Sequence, residues 1–294
     1  MDACAVTGIP SLLPPDERQR LASGRRLRTV HGGCDLVWHE WQPESARQGS
    51  APVVLFHGGS GSWTHWVKNI GPLLDAGRRV LAADLPGFGD SAPLLEGSDA
   101  DAMLEPLAAG LRTLLPGAAV DLVGFSFGGM TAGMLLAAYP ELAARLVLVG
   151  APAMGVASER QLQLKGWRHL AAPQERAGIH RHNLGVLMLH DHSLIDGLAL
   201  QVHTANVLRD RLPRRRLART DILARSLASV PCPVHAIYGA HDVLYHQGID
   251  QLQHAYAAAA PDFRGLRLIE GAGHWVQFEA PQAFNAALCL TLDD

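Results

Sequence analysis

The chain has 294 residues, 48% of them hydrophobic and 18% charged, and its 25 basic against 28 acidic side chains leave a formal charge of −3. That composition suffices for a packed core and excludes a long disordered region, while the near-neutral balance gives no electrostatic reason to bind nucleic acid or an anionic membrane. Four widely spaced cysteines (Cys4, Cys34, Cys232, Cys289) form no CxxC pair, and neither a basic leader with an apolar run nor a membrane-length apolar stretch is present, so free thiols in a cytoplasmic protein are expected.

Taken in chain order, residues 1–24 contain prolines and little periodicity, and they read as an arm on the surface. Residues 27–30 and 36–41 read as two strands joined across Gly32-Gly33, a hairpin by its turn residues. Residues 52–56 (PVVLF) form a continuous apolar run, which predicts a strand buried on both faces, as in a parallel sheet. It leads into His57-Gly58-Gly59-Ser60-Gly61-Ser62 and a helix carrying Trp63, Trp66, Ile70 and Leu73. A strand at 79–83 ends in the segment Asp84 to Ser91, which lacks the Lys-Ser/Thr of a phosphate loop and reads as a rigid turn. A helix at 104–115, a strand at 119–123, a helix running to Tyr139 and a strand at 145–149 continue the alternation. From 153 to 230 only helical spacing appears, broken at Gly166, Pro173, Gly178, Gly185 and Pro213. This predicts a helical cap at 153–230 inserted into an α/β core made of 1–152 and 231–294. Alternation resumes with a strand at 233–238, a helix at 251–260, a strand at 266–269 and a last helix at 281–290. The expected fold is α/β, a mostly parallel sheet flanked by helices.

The stretch from Gly124 to Gly129 (GFSFGG) carries the chemistry. A buried strand must turn sharply at Ser126 and enter a helix at once; a side chain at 124 or 128 would collide with the neighbouring strand or helix, and the apex residue is held in a strained conformation. The amides of Ser126 and Phe127 are expected at a helix N-terminus, where a developing oxyanion finds donors. Gly239-Ala-His-Asp242 and Gly271-Ala-Gly-His274 each follow a strand directly. Strand ends of a parallel sheet converge on one crevice, so Ser126, Asp242 and His274 can meet there. Such a set supplies a nucleophile, an imidazole to take its proton and a carboxylate to fix the imidazole tautomer. Gly59 or Ser60 is expected to add a second oxyanion amide beside that of Phe127. His57 reads as a structural residue bonding loop carbonyls. Asp90 precedes the serine and fails the chain order of the acid.

The motifs HGGSGS, DLPGFGDS, GFSFGG, GAHD and GAGHWVQFEAP, in this order and spacing, resemble those of the α/β-hydrolase-fold enzymes with a helical cap, over nearly the whole chain. The cap and the segment Gly273 to Glu279 look most like the branch that hydrolyses carbon-carbon bonds in ring-cleavage products of aromatic degradation. The chain also departs from that branch: Phe125 stands where Asn is typical, Ser60-Gly61-Ser62 replaces Gly-Pro-Gly, and Val202 and His203 fall near the place of a cap arginine. The resemblance implies a serine hydrolase without cofactor or metal, acting on a small, partly apolar ester or activated ketone, with Gly58, Phe125, Trp275 and His203 as candidate substrate contacts. Carbon-carbon hydrolysis, acyl transfer, cofactor-free oxygenase chemistry and ligand reception are the alternatives; a homodimer is left open. In the cap, His180, His182, His190 and His192 raise a zinc site without completing one. The arginines at 209, 211, 214, 215, 216 and 219 read as a solvated helix end or, alternatively, as a carboxylate-binding patch. Trp167, Leu187, Met188 and Leu189 read as core.

Overall fold

The computed structural model describes residues 4–156, 162–212, 214–245 and 248–294. Its sheet has the strand order β1-β2-β3-β5-β4-β6-β7-β8-β9, with β1 Cys4–Ala5, β2 Arg25–His31, β3 Cys34–Trp41, β4 Val53–Phe56, β5 Val80–Asp84, β6 Val120–Phe125, β7 Ala143–Val149, β8 Val234–Gly239 and β9 Phe263–Ile269. The hairpin forms as expected: His31 faces Cys34 across Gly32 and Gly33, both at positive φ, which a two-residue turn of this kind requires. β3 joins β5 antiparallel, and every later pair is parallel. All residues of β4, β5, β6 and β8 are buried, the mark of a sheet covered on both faces.

Two helical layers provide that cover. On one side lie α3 (Leu104–Leu114), α4 (Phe127–Ala138), α7 (Ile222–Leu227) and α8 (Ile249–Ala259), through Leu107, Met130, Leu135, Leu223 and Tyr256. On the other lie α1 (Pro15–Ala22), α2 (Ile70–Asp75) and α10 (Pro281–Asp293), through Leu21, Ile70, Phe284 and Leu288, with Trp41, Trp63 and Trp66 packed among them. α4 carries no polar face and is buried on nearly all sides, as suits the central helix of the fold.

Two expectations change. Residues 4–24 are not a surface arm: β1 pairs with β2, Pro15 opens α1, and the buried Leu21 carbonyl accepts from Trp41 Nε1 at 2.8 Å. The segment is too short for periodicity to reveal, and its order comes from docking. The single helix expected after Ser62 is two pieces, a 3-10 turn Trp63–Trp66 and α2, because Asp84 Oδ1 takes the Trp63 amide and the buried Asn69 side chain is claimed by the Gln277 carbonyl and Asn285.

Between β7 and β8 the described residues contain α5 (Pro173–Asn183), a π turn Leu184–Met188, α6 (Gly197–Leu208) and α7, and no strand. α7 lies against α4 so closely that a Cβ on Gly133 would stand 2.3 Å from Leu223 Cδ1. α5, the π turn and α6 instead lie over the C-terminal ends of the strands, where the motifs converge.

Candidate active site

The turn from β6 to α4 places Ser126 at its apex with φ 51 and ψ −120, a conformation rarely taken by a residue with a side chain. The flanking glycines permit it. A Cβ on Gly124 would lie 2.6 Å from the Gly128 carbonyl oxygen, and one on Gly128 would lie 2.4 Å from that of His57, both backbone atoms that cannot yield. The Ser126 amide donates to the Val149 carbonyl at 2.7 Å, so it ties β6 to β7 and does not serve an oxyanion, contrary to the sequence expectation. Phe127, first residue of α4, retains an amide without an intrahelical acceptor.

Three strand ends bring the remaining groups in. His274 Nε2 lies 2.9 Å from Ser126 Oγ, and His274 Nδ1 lies 2.9 Å from Asp242 Oδ2. Asp242 is fully buried and its Oδ1 accepts the Leu244 amide at 2.9 Å, so it is an acceptor on both oxygens and the imidazole proton belongs on Nδ1. That leaves Nε2 free to accept from the serine. Gly150, at φ 53, is required beside this pair: a Cβ there would stand 3.3 Å from Asp242 Oδ2 and from the His274 ring. Gly239 serves the same end, since a Cβ on it would lie 2.1 Å from the Gly273 carbonyl oxygen.

The loop after β4 faces the elbow. Gly59 comes within 3.7 Å of the Phe127 Cβ and Gly58 within 3.2 Å of the Ser126 Cβ, measured from the Cβ each would carry. Ser60 stands at φ 52, and its hydroxyl donates to Asp210 Oδ2 at 2.5 Å. Asp210 is paired with Arg215 at 3.0 Å, and the Arg215 guanidinium covers the faces of Phe88 and Phe127. His57 behaves as expected of a structural residue, donating from Nδ1 to the Gly58 carbonyl (2.7 Å) and accepting the Leu85 amide on Nε2 (2.9 Å). Burial pushes it down to about 4, against the pull of Asp84 and of that hydrogen bond. His65, which the sequence did not single out, accepts the Gly58 amide on Nδ1 at 3.2 Å and thereby fixes the same loop.

A cleft of about 530 Å³ opens beside the Gly59-Ser60 loop, lined by Gly59, Ser60, His65, Trp167, Met188 and His203 among others; Ser126 and His274 do not line it, and His274 borders a smaller cleft of about 110 Å³ with Leu187, Leu189 and His190. His203 is one of the residues lining the larger cleft, and burial, reinforced by the neighbouring His180, pushes it down to about 4. Phe125 and Trp275 are corrections. Both are fully buried, Phe125 against His65, Trp66 and His274, and Trp275 stacked on Phe278 with its Nε1 donating to the His65 carbonyl. They pack beneath His65 and His274 and do not line the larger cleft. Gly58 is buried between Phe125 and Ser126 and contributes close approach.

The cap residues also sort differently from expectation. Trp167, Leu187 and Met188 line the larger cleft, and Leu189, though buried, borders the smaller one beside His274. The arginines dock the cap: Arg209 pairs with Asp90 at 2.8 Å, Arg211 donates to the Gly89 carbonyl at 3.1 Å and also to that of Ser91, Arg215 holds Asp210, and the Arg216 amide donates to Asp99. Arg209 and Arg211 reach residues 119 and 122 positions away, whereas Arg215 pairs with Asp210 only 5 positions away and Arg214 and Arg219 are exposed, as a solvated helix end would be. Asp90 is thus consumed by Arg209 and Thr7 and does not approach His274. His180 meets Trp167 and His203, His182 the Gln163 carbonyl, His190 the ring of His241 and His192 the Gly185 carbonyl. They point to four places, and among the described residues no group of three or more His, Cys, Asp or Glu is placed to hold a metal.

A family model for the alpha/beta hydrolase fold matches residues 51–281. The chain belongs to the α/β-hydrolase fold family. Within that family it is 31% identical over 268 residues to the dihydrolipoyllysine-residue acetyltransferase component of an acetoin cleaving system from Pseudomonas putida, covering 86% of this chain and 65% of that longer protein. It is 29% identical over 264 residues to a 2-hydroxy-6-oxo-6-phenylhexa-2,4-dienoate hydrolase from Burkholderia cepacia, with 84% and 88% of the two chains covered. Among solved structures, an esterase from Rhodococcus sp. ECU1013 superposes with a TM-score of 0.72 at 22% identity, over 92% of this chain and 99% of that one. At that identity the likeness concerns the α/β-hydrolase fold alone. No helix among the described residues is long and apolar enough to cross a membrane.

Proposed function

We propose that this α/β-hydrolase fold protein is a serine hydrolase that cleaves an ester or activated ketone of a small, partly apolar substrate through an acyl enzyme. The observation that carries the reading is the unbroken chain of contacts from Ser126 Oγ through both nitrogens of His274 to the buried Asp242, each link 2.9 Å. In the first step Ser126 Oγ attacks the carbonyl carbon while its proton passes to His274 Nε2, and Asp242 stabilises the imidazolium. The carbonyl oxygen becomes an oxyanion received by the Phe127 amide and by an amide of the Gly59-Ser60 segment. The imidazolium then protonates the leaving group, and water repeats the sequence to release the acid. No step needs a metal or an organic cofactor.

A second reading, hydrolysis of a carbon-carbon bond in a dienoate ring-cleavage product, is supported by the likeness to the Burkholderia cepacia hydrolase. Against it stands the use of Arg209, Arg211 and Arg215 in docking the cap, which leaves those guanidinium groups committed. Burst kinetics with p-nitrophenyl acetate test the first reading: a stoichiometric burst that disappears in Ser126→Ala supports it, and turnover by that variant rules it out. Parallel assays with neutral esters and a phenyl-substituted dienoate separate the two readings by kcat/KM.

A further inference from the structure

The histidine of the triad sits on a loop that the cap holds directly. Glu279, at the end of α9 (Val276–Glu279) and 8% exposed, accepts the Gly273 amide on Oε2 at 2.7 Å and the Asp191 amide on Oε1 at 2.6 Å. Gly273 immediately precedes His274, and Asp191 belongs to the cap segment that follows the π turn. On the other side of His274, the Trp275 amide donates to the Met188 carbonyl at 2.8 Å. The His190 ring stacks on His241, next to Asp242, with centroids 3.9 Å apart and planes 9° from parallel. The fit leaves no slack: a Cβ on Gly273 would lie 2.8 Å from the His190 amide nitrogen and 3.2 Å from Glu279 Oε2.

We propose that Glu279 is a positioning residue that makes the orientation of His274 depend on the cap segment 188–191. The His274–Trp275 peptide is bonded to that segment directly and the Ala272–Gly273 peptide through Glu279, so a displacement of the segment pulls on the chain on both sides of His274. Met188 and Leu187 in the adjoining π turn line the larger cleft, which means that a substrate pressing on them acts on the same segment. π turns interrupt the regular hydrogen-bond ladder and recur where a helix must adjust at a functional site. A carboxylate suits the role better than an amide side chain, because each of its oxygens accepts a backbone N–H and neither donates. Glu279 touches neither substrate nor Ser126 in this arrangement; it acts through His274. The effect on rate rests on the serine hydrolase reading, whereas the geometric coupling does not.

The decisive comparison is Asp191→Pro against Asp191→Ala in the full chain. Both lose the Asp191 carboxylate, and only proline removes the N–H; the Asp191 φ of −82° accommodates its ring. Relative to Asp191→Ala, Asp191→Pro is expected to lower kcat on p-nitrophenyl acetate about tenfold with KM changed less than about threefold, and Glu279→Gln is expected to add little in the proline background, because once the Asp191 N–H is gone the single glutamine oxygen suffices for the Gly273 amide. The downfield proton resonance of His274 Nδ1–H bonded to Asp242, assigned by its loss in His274→Gln, is expected to move or broaden in Asp191→Pro and not in Asp191→Ala. That resonance needs no turnover, so it tests the coupling even if Ser126→Ala were to retain activity and overturn the serine reading. Equal kcat and an unchanged resonance in the two Asp191 variants would refute the proposal. Should the proline variant fail to fold, Glu279→Gln and Glu279→Ala take its place: a graded fall in kcat and a graded change in the resonance support it, and wild-type behaviour of both overturns it.

Discussion

The strand ends and the cap meet around His274 but are built by different means. At the strand ends the groups are placed by backbone: Ser126 by a strained elbow that admits no side chain at Gly128, His274 and Asp242 by loops so close that Gly239 admits none and Gly150, at positive φ, fits tightly against both. The cap is placed by side chains, through the pair Arg209–Asp90, the bonds of Asp210 and Arg215 to Ser60 and the contacts of Asn206 with Ser62 and Thr64. Backbone packing leaves no alternative geometry, whereas polar docking can be rearranged by substitution. The comparison teaches that reaction type is written where backbone fixes it, and that substrate choice is left to the part held by exchangeable contacts.

The largest effects should fall at the strand ends. Ser126→Ala is expected to lower kcat by roughly 10⁵ to 10⁶ and Asp242→Asn by roughly 10⁴, with the far-ultraviolet circular dichroism unchanged in both. If Asp242→Asn retained wild-type kcat, the buried carboxylate would not be orienting His274, and the backbone-built half of the comparison would fail.

Acid should act next, and on both halves. His57 in the core and His203 in the cap are neutral in the fold, each lowered by burial from 6.5 to about 4. A histidine depressed on folding binds more protons when unfolded, so its contribution is complete above about pH 6.5 and is lost as pH falls toward 4. The difference is worth about 3 kcal/mol at most for each group. Denaturant titrations at pH 7.5 and pH 5 should show stability falling on acidification. His203→Gln should flatten that dependence; an identical slope in the variant would mean that His203 takes up protons equally in the folded and unfolded chain.

Within the cap the effects should be smaller and graded by burial. Asp210→Asn strips the counter-charge from Arg215 beside Phe127 and loosens Ser60, and kcat/KM is expected to fall roughly 10- to 100-fold with a stability loss of up to about 3 kcal/mol. A silent variant would remove Asp210 from the site. Smallest of all, Arg209→Ala breaks a pair that is a quarter exposed and whose acid also accepts from Thr7, so the loss should stay below about 1 kcal/mol with kcat/KM within about twofold. A tenfold loss selective for acidic substrates would instead return Arg209 to substrate binding.

The sequence by itself determined the alternation of strands and helices, the elbow at Ser126 and the order Ser126, Asp242, His274. Each of these is local: apolar runs of strand length, glycines where a side chain would strike backbone, and loops directly after strands, all of which leave a pattern within a few residues. Only the tertiary structure decided that the Ser126 amide is spent on Val149, that Phe125 and Trp275 lie beneath the site, and that residues 4–24 dock on the sheet. It also decided what the arginine run does, and it brought in His65, Asp210, Arg215 and Glu279. Those residues act through partners from 5 to 155 positions away, such as Asp210 and Ser60 for Arg215. A charged or polar side chain carries no mark in its own neighbourhood of which distant carbonyl, amide or carboxylate it will meet, so pairing of that kind is fixed only when the chain has closed.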